Sequence, residues 1–283
     1  MFVKVRAEKE MTKQYEDIQA IVKMEITEED RKRVRNNVRF SLVILVMMLI
    51  SVVVMLALWV TDSSGLWPVI GLTYFMLAIY YIVKYKIQSK LWSKLTVDCR
   101  PDLFLQSYLT ILERTKKSRH WEMHLYTVGN ALLFAGRKED AKALLDLFPQ
   151  YCPDSRGRMC FTILAISVAG MEQNRELLAM HAKNLEQLLA QSKPNARFKA
   201  LAQETLKSVN KLELELAGRF EELQDLLSKE RPPVGNLQLV KRNYNLYKIA
   251  IRLGKKEEAS EYKRVVLEKG GTTFYKQELS DSE

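Results

Sequence analysis

Two apolar runs, Ser41 to Val60 and Leu66 to Val83, are separated only by Thr61-Asp62-Ser63-Ser64-Gly65. About 20 residues rising 1.5 Å each match a hydrocarbon layer about 30 Å thick. Neither run, SLVILVMMLISVVVMLALWV or LWPVIGLTYFMLAIYYIV, carries an Asp, Glu, His, Lys or Arg. Each therefore predicts a membrane-spanning helix, and the short turn predicts a tight two-span hairpin. A pair of buried helices in a soluble core is the competing reading, but a soluble helix does not need to be apolar all round for so long. Trp59 and Trp67 flank the turn while Tyr80, Tyr81 and Tyr85 gather at the far end, as two interfacial aromatic belts do. Pro68 suits a first helical turn.

Basic residues set the expected orientation. Arg31, Lys32, Arg33, Arg35 and Arg39 precede the first run, Lys84, Lys86, Lys90 and Lys94 follow the second, and the turn carries only Asp62. Basic flanks stay in the cytoplasm, so both termini are expected there. A cleaved signal would place its apolar stretch nearer Met1 and end it at a small-residue site, so the first run reads as an anchor. This arrangement is compatible with an integral protein of a bacterial plasma membrane. The formal net charge is +10, and about half of that excess lies within a few residues of the two runs. Anionic headgroups explain it better than nucleic acid, at about 1 kcal/mol for each basic residue near the surface. Elsewhere the signs mix, as in Lys138-Glu139-Asp140 and Lys255-Lys256-Glu257-Glu258, the pattern of solvated helix faces. Cys99, Cys152 and Cys160 have no paired spacing and read as free thiols acting as small apolar side chains.

The chain divides by this reading into a cytoplasmic helical segment 1–40, a membrane hairpin 41–84 and a cytoplasmic all-helical domain 85–283. Residues Lys9 to Met24 form a polar helical stretch, and Thr27 before Glu28-Glu29-Asp30 caps a new helix that runs on into the membrane. That first segment serves as a topogenic collar or as a docking element for a membrane partner. After the hairpin, apolar residues recur at three and four spacing in Leu103 to Leu112, Leu125 to Phe134, Leu177 to Leu189, Leu212 to Leu227 and Tyr244 to Leu253.

The stretch Ala131 to Asp140 is echoed 34 positions later by Ala165 to Asn174. Junctions of the same kind appear at Leu216-Ala217-Gly218-Arg219-Phe220-Glu221-Glu222 and Leu253-Gly254-Lys255-Lys256-Glu257-Glu258-Ala259. Gly136, Gly170, Gly218 and Gly254 are thus expected to end one helix in a left-handed conformation, with acids opening the next. Around Ser192-Lys193-Pro194-Asn195 extra length accumulates before a longer helix from Ala196 to Leu216.

These units resemble tetratricopeptide repeats. Leu125, Val128, Gly129, Leu132, Ala141, Leu145, Phe148 and Pro153 fall at the spacings where that family places packing residues, small crossing residues and a closing proline. Tyr247 to Ala259 follow the pattern more loosely, Arg175 stands where a small residue is usual, and Gly218 lies 48 positions beyond Gly170. The resemblance covers about 160 residues, and it implies an all-α solenoid of helical hairpins that holds an extended peptide or a partner helix along its concave face. By that analogy Met123, Tyr126, Asn130 and Leu133 face the groove in the first unit, and Lys241, Tyr244, Lys248 and Arg252 in the last. Asn130 stands where carboxylate-binding versions carry asparagine, whereas Tyr126 replaces their lysine. The lysines suit an acidic segment.

Competing classes find less support. His120 and His124 share a helix face at i, i+4, but the order His120-Trp121-Glu122-Met123-His124 is not that of a metalloprotease helix, and His181 is the only other histidine. No phosphate-cradling glycine loop or nucleophile turn occurs. No cofactor is expected. For a channel or transporter the two runs offer only Ser51, Thr73 and tyrosines as polar groups, so a pore would require oligomerisation. The chain reads as a non-enzymatic membrane scaffold or adaptor. The alternative is a subunit of a larger transport or assembly complex acting through its hairpin.

Overall fold

The computed structural model describes residues 2–60, 66–114, 120–192 and 194–281, and among these every regular element is a helix. Two compact units emerge: Glu25–Ser93, and Met1–Met24 together with Lys94–Glu283.

The first unit is built on α2 (Glu28–Val60) and most of α3 (Leu66–Thr96). Thr27 opens α2 as its sequence predicts: its hydroxyl accepts from Asp30 N at 3.2 Å and donates to Asp30 Oδ2 at 2.6 Å, beside the acidic first turn Glu28, Glu29, Asp30. The helix then continues unbroken for 33 residues, about 50 Å. Both helices are long and apolar enough to cross a membrane, and only 11% of the Leu42–Trp59 window and none of the Val69–Thr96 window is buried. Trp59, Tyr81 and Tyr85 are exposed. Buried instead are Ile44 and Ser51. Thr73 Oγ1 lies 3.1 Å from Ser51 Oγ and 2.8 Å from Val69 O, while Ser51 donates to Met48 O at 2.8 Å. The turn Thr61 to Gly65 and the side chains of Trp67 and Pro68 lie outside the described residues.

The second unit gathers α1 (Phe2–Val22) and the helices α4 (Pro101–Arg114), α5 (Trp121–Phe134), α6 (Lys138–Leu145), α7 (Leu147–Tyr151), α8 (Ser155–Met171) and α9 (Arg175–Gln191). It continues through α10 (Ala196–Leu216), α11 (Phe220–Ser228), α12 (Asn236–Arg252), α13 (Lys256–Lys269) and α14 (Phe274–Ser280). Its core is aliphatic and aromatic: Phe104, Leu109, Leu125, Leu132, Leu144 and Ile163 are all essentially inaccessible. Consecutive helices pair α5 with α6, α8 with α9, α10 with α11 and α12 with α13.

One turn makes all four pairs. Gly136 N bonds Leu133 O and Arg137 N bonds Leu132 O. The same two bonds recur from Gln173 and Asn174, from Gly218 and Arg219, and from Gly254 and Lys255, at 2.9 to 3.2 Å. This is the Schellman exit, which needs a left-handed residue. Gly136, Gly218 and Gly254 supply it with φ of +75°, +71° and +72°. The second turn corrects the sequence expectation. There Gln173 adopts φ +53°, and Gly170 stays inside α8, where an added Cβ would lie 2.7 Å from Leu212. Gly136 therefore corresponds to Gln173 rather than Gly170, so the buried Leu178, not Arg175, takes the place of Ala141.

The boundaries expected at residues 40 and 84 do not follow the packing. Helix α1 lies on α4 and α6, with Tyr15, Ile18 and Val22 buried. The Arg137 guanidinium donates to Val22 O and the Tyr151 hydroxyl to Asp17. At the other end, Thr272 N donates to Cys99 O at 2.9 Å, the Thr272 hydroxyl to Asp102, and α14 packs on α5, α12 and α13. The last helix thereby returns to the beginning of the domain.

Candidate functional site

The residues expected to line a groove sit on α5 and α12, and α14 lies against both helices. On α5, Leu133 is 5% exposed, and Met123 and Tyr126 are half-buried. Burial, opposed by the hydrogen bond from Asn130, lifts the Tyr126 phenol to about 12. Asn130 Nδ2 donates to Tyr126 O at 2.9 Å, so one of its donors is spent within its own helix. On α12, Tyr244 is 6% exposed and donates to Glu278 Oε2 at 2.6 Å, with its ring 5.0 Å from Tyr275 and 6.0 Å from Phe274. Phe134 approaches Tyr275 from α5 at 6.5 Å. The chain's own C-terminal helix thus occupies the aromatic part of this face, and the burial of Leu133 and Tyr244 is packing.

The basic residues of α12 are differently placed. Lys248 pairs with Glu215 and stands 5.5 Å over the Tyr244 ring, whereas Lys241 and Arg252 are exposed. Arg252, Lys248 and Glu215 share a polar cavity of about 160 Å³ with Gly170 and Gln173. A cation already held by a neighbouring carboxylate has little attraction left for a second anion. Arg252 keeps its own, whereas desolvation and the charge of Lys211 lower the pKa of Lys241 against the opposing pull of Glu230 and Glu204.

The histidines are drawn to different neighbours. His124 Nδ1 is 2.8 Å from the Tyr108 hydroxyl, His120 Nδ1 is 3.4 Å from Glu122 Oε1, and His181 lies edge-on to Phe161. Burial, then the charge of His120, lowers His124 to about 4, which leaves it a neutral imidazole at physiological pH. Among the described residues no group of three His, Cys, Asp or Glu side chains is placed to hold a metal ion. The three cysteines are free and buried. Desolvation raises Cys99 to about 11 and Cys152 and Cys160 to about 12, so all three stay protonated thiols.

A second concavity was not legible from the sequence. Helices α7, α8 and α9 enclose a cleft of about 470 Å³ whose lining is mainly apolar, with Phe148, Phe161 and Leu188 as its large side chains. It exists because α7 turns tightly into α8: Asp154 caps α8 by accepting from Gly157 N at 2.8 Å, and Gly157 passes so close to Cys152 that a Cβ would fall 1.9 Å from Cys152 O. Asn184, Gln187 and Gln191 stand along one edge on α9, and Arg158 is the only charged residue in the lining among the described residues. The i, i+3, i+7 spacing of the three carboxamides is visible in the sequence, but it points to a site only once α7 is known to face it. No known protein-family model, curated protein or solved structure matches this chain.

Proposed function

We propose that this chain is a membrane-anchored scaffold, a non-enzymatic adaptor whose helical domain recruits another protein to a cytoplasmic membrane surface. The observation that carries the reading is the outward display of apolar side chains by α2 and α3, with Leu49, Val53, Leu72 and Phe75 each more than half exposed. A large bare apolar surface marks contact with lipid or with another protein. The buried core helix of a soluble protein, which could match these helices in length and composition, would not be 11% and 0% buried.

The make-up of the helical unit supports an even number of crossings. Met1–Met24 and Lys94–Glu283 fold together, so the chain must return to the side from which it entered. The basic residues flanking both runs favour the cytoplasmic side. A tetratricopeptide-like array of helix pairs would then present its surfaces to that compartment, with Lys241 and Arg252 available to an acidic segment.

The test uses the full chain in lipid nanodiscs as bait for extract of the source cell, analysed by mass spectrometry. The adaptor reading expects a specific partner that is lost from the double variant Lys241→Glu, Arg252→Glu and kept when both spans are exchanged for an unrelated hairpin. A partner that follows the native spans instead would overturn it in favour of a complex subunit acting through α2 and α3. Retention of nothing from either extract fraction would sink both.

A further inference from the structure

We infer that the α7–α9 cleft binds an extended, mostly apolar peptide segment bearing one acidic residue. This inference rests on the adaptor reading and moves its docking surface away from the face that α14 covers. Three observations converge. The cleft is larger than the α12 cavity, about 470 against 160 Å³, and the large apolar side chains it offers are the half-buried Phe161 and Leu188, which give apolar contact without specifying an orientation.

The rim then supplies direction. Asn184, Gln187 and Gln191 project from one face of α9 over about 10 Å, are exposed, and have no hydrogen-bond partner among the described residues. Each carboxamide carries both donor and acceptor groups, the complement of a peptide N–H and C=O. A single acyl chain has no use for three such groups. An extended backbone repeats its same-side polar groups about every 6.6 Å, so a run of four or five residues spans the rim.

Charge supplies the last element. Among the described residues Arg158 is exposed, has no ion pair, and is the only charged side chain in the lining. A guanidinium without an ion pair in the lining of an apolar cleft favours a carboxylate there, bound through paired N–H donors. Because Phe148 and Cys152 are buried beneath the cleft and Gly157 fixes its floor, the site is formed before anything binds.

A random heptapeptide display library selected on the full chain in nanodiscs tests this. The expected result is a set of peptides with apolar residues at alternate positions and one Asp or Glu. Their affinity should fall about tenfold or more in Asn184→Ala, Gln187→Ala, Gln191→Ala, whose side chains are exposed and whose unfolding should match that of the parent. Arg158→Glu should reject the acidic peptides and accept Lys in their place. Failure to enrich any peptide overturns the inference, as does displacement of the selected peptides by dodecanoate, the mark of a lipid site. Enriched peptides indifferent to all four positions also overturn it, yet leave the adaptor reading standing with its surface elsewhere. Loss of the cellular partner in Lys241→Glu, Arg252→Glu with cleft binding intact would keep the adaptor reading on α12 and overturn the cleft as its docking surface.

Discussion

Val53 and Val234 are the same residue in two regions with opposite rules. Val53, in α2, is 65% exposed among neighbours such as Leu49 at 59% and Leu56 at 54%, while Val234 is 82% exposed in a loop of the helical unit, where Val128, Val168, Val240 and Val266 are buried. In the unit Glu25–Ser93 a polar side chain, Ser51, is among the best buried, whereas in the helical unit that place belongs to Phe104, Leu125 and Leu132. The same physical chemistry explains both if the two regions face different solvents. Apolar side chains pack inward where the surroundings are water, and a hydroxyl turns toward its helix carbonyl and its neighbour where the surroundings are hydrocarbon.

The sharpest way to break the comparison is to put the same charge at both valines. Val53→Lys places an ammonium near the middle of the α2 span and should cost about 3 kcal/mol of insertion, shifting protein out of the carbonate-resistant membrane fraction. Val234→Lys should leave membrane yield and thermal unfolding unchanged, since its side chain already meets water. If Val53→Lys behaves like Val234→Lys, α2 does not face lipid.

A second pair separates backbone conformation from space within the helical unit. Gly136 and Gly254 hold nearly the same φ, +75° and +72°, but a Cβ at Gly136 would lie 3.0 Å from Phe274 Cβ, and at Gly254 it would meet nothing. Gly254→Val should therefore cost about 1–2 kcal/mol for the left-handed backbone alone, and Gly136→Val more, because α14 must give way. Thermal unfolding of the two variants measures the difference. Equal losses would mean that α14 is not held against the α5–α6 turn.

Much of this architecture was legible in the sequence, and what was not has identifiable causes. The two apolar runs read directly because length and absence of charge suffice. Three of the four turns were legible because a left-handed exit selects glycine. The fourth misled for two reasons: Gln173 accepts φ +53°, and Gly170 is a glycine for another purpose, the close passage of Leu212. The apolar spacing from Leu212 to Leu227 alone runs across a break, which the glycine at 218 marks and which separates α10 from α11. The docking of α1 rests on Arg137 reaching Val22 O, 115 residues apart in sequence, and no local pattern encodes such a contact. For the same reason the peptide cleft stayed hidden, since its edges come from α7, α8 and α9 and its depth from one close approach at Gly157.

Arg137 and Arg219 occupy the same position after their glycines, and each reaches the acid three residues on: Arg137 Nε to Asp140 at 2.7 Å, Arg219 Nε to Glu222 at 2.6 Å. Only Arg137 also holds α1. Arg137→Ala should cost about 1–2 kcal/mol and expose the segment before Glu25 to limited proteolysis. Arg219→Ala removes a fully solvated pair and should change neither. Equal protease resistance of Arg137→Ala and the parent would show that the buried face of α1, through Ile18 and Val22, suffices to hold it.

The smallest effect concerns pH, and it again divides the two regions. The runs Ser41 to Val60 and Leu66 to Val83 contain no Asp, Glu, His, Lys or Arg, so acid should act on stability through the helical unit. Burial, reinforced by His120, holds folded His124 at about 4, below the 6.5 of an unperturbed imidazole. Between those values the unfolded chain binds a proton that the folded chain refuses, so this contribution is complete above pH 6.5 and is lost as pH falls toward 4. With its partial exposure discounted, the loss is about 1 kcal/mol. His181 is shifted in the same direction by burial and adds to the slope. Taking the difference between His124→Gln and the parent cancels the carboxylates that titrate in the same range. That difference in unfolding midpoint should narrow steadily from pH 7 to pH 4, with glutamine keeping a partner for the Tyr108 hydroxyl. A constant difference across the range would mean that His124 titrates alike in the folded and unfolded chains, and its contact with Tyr108 would then count as packing alone.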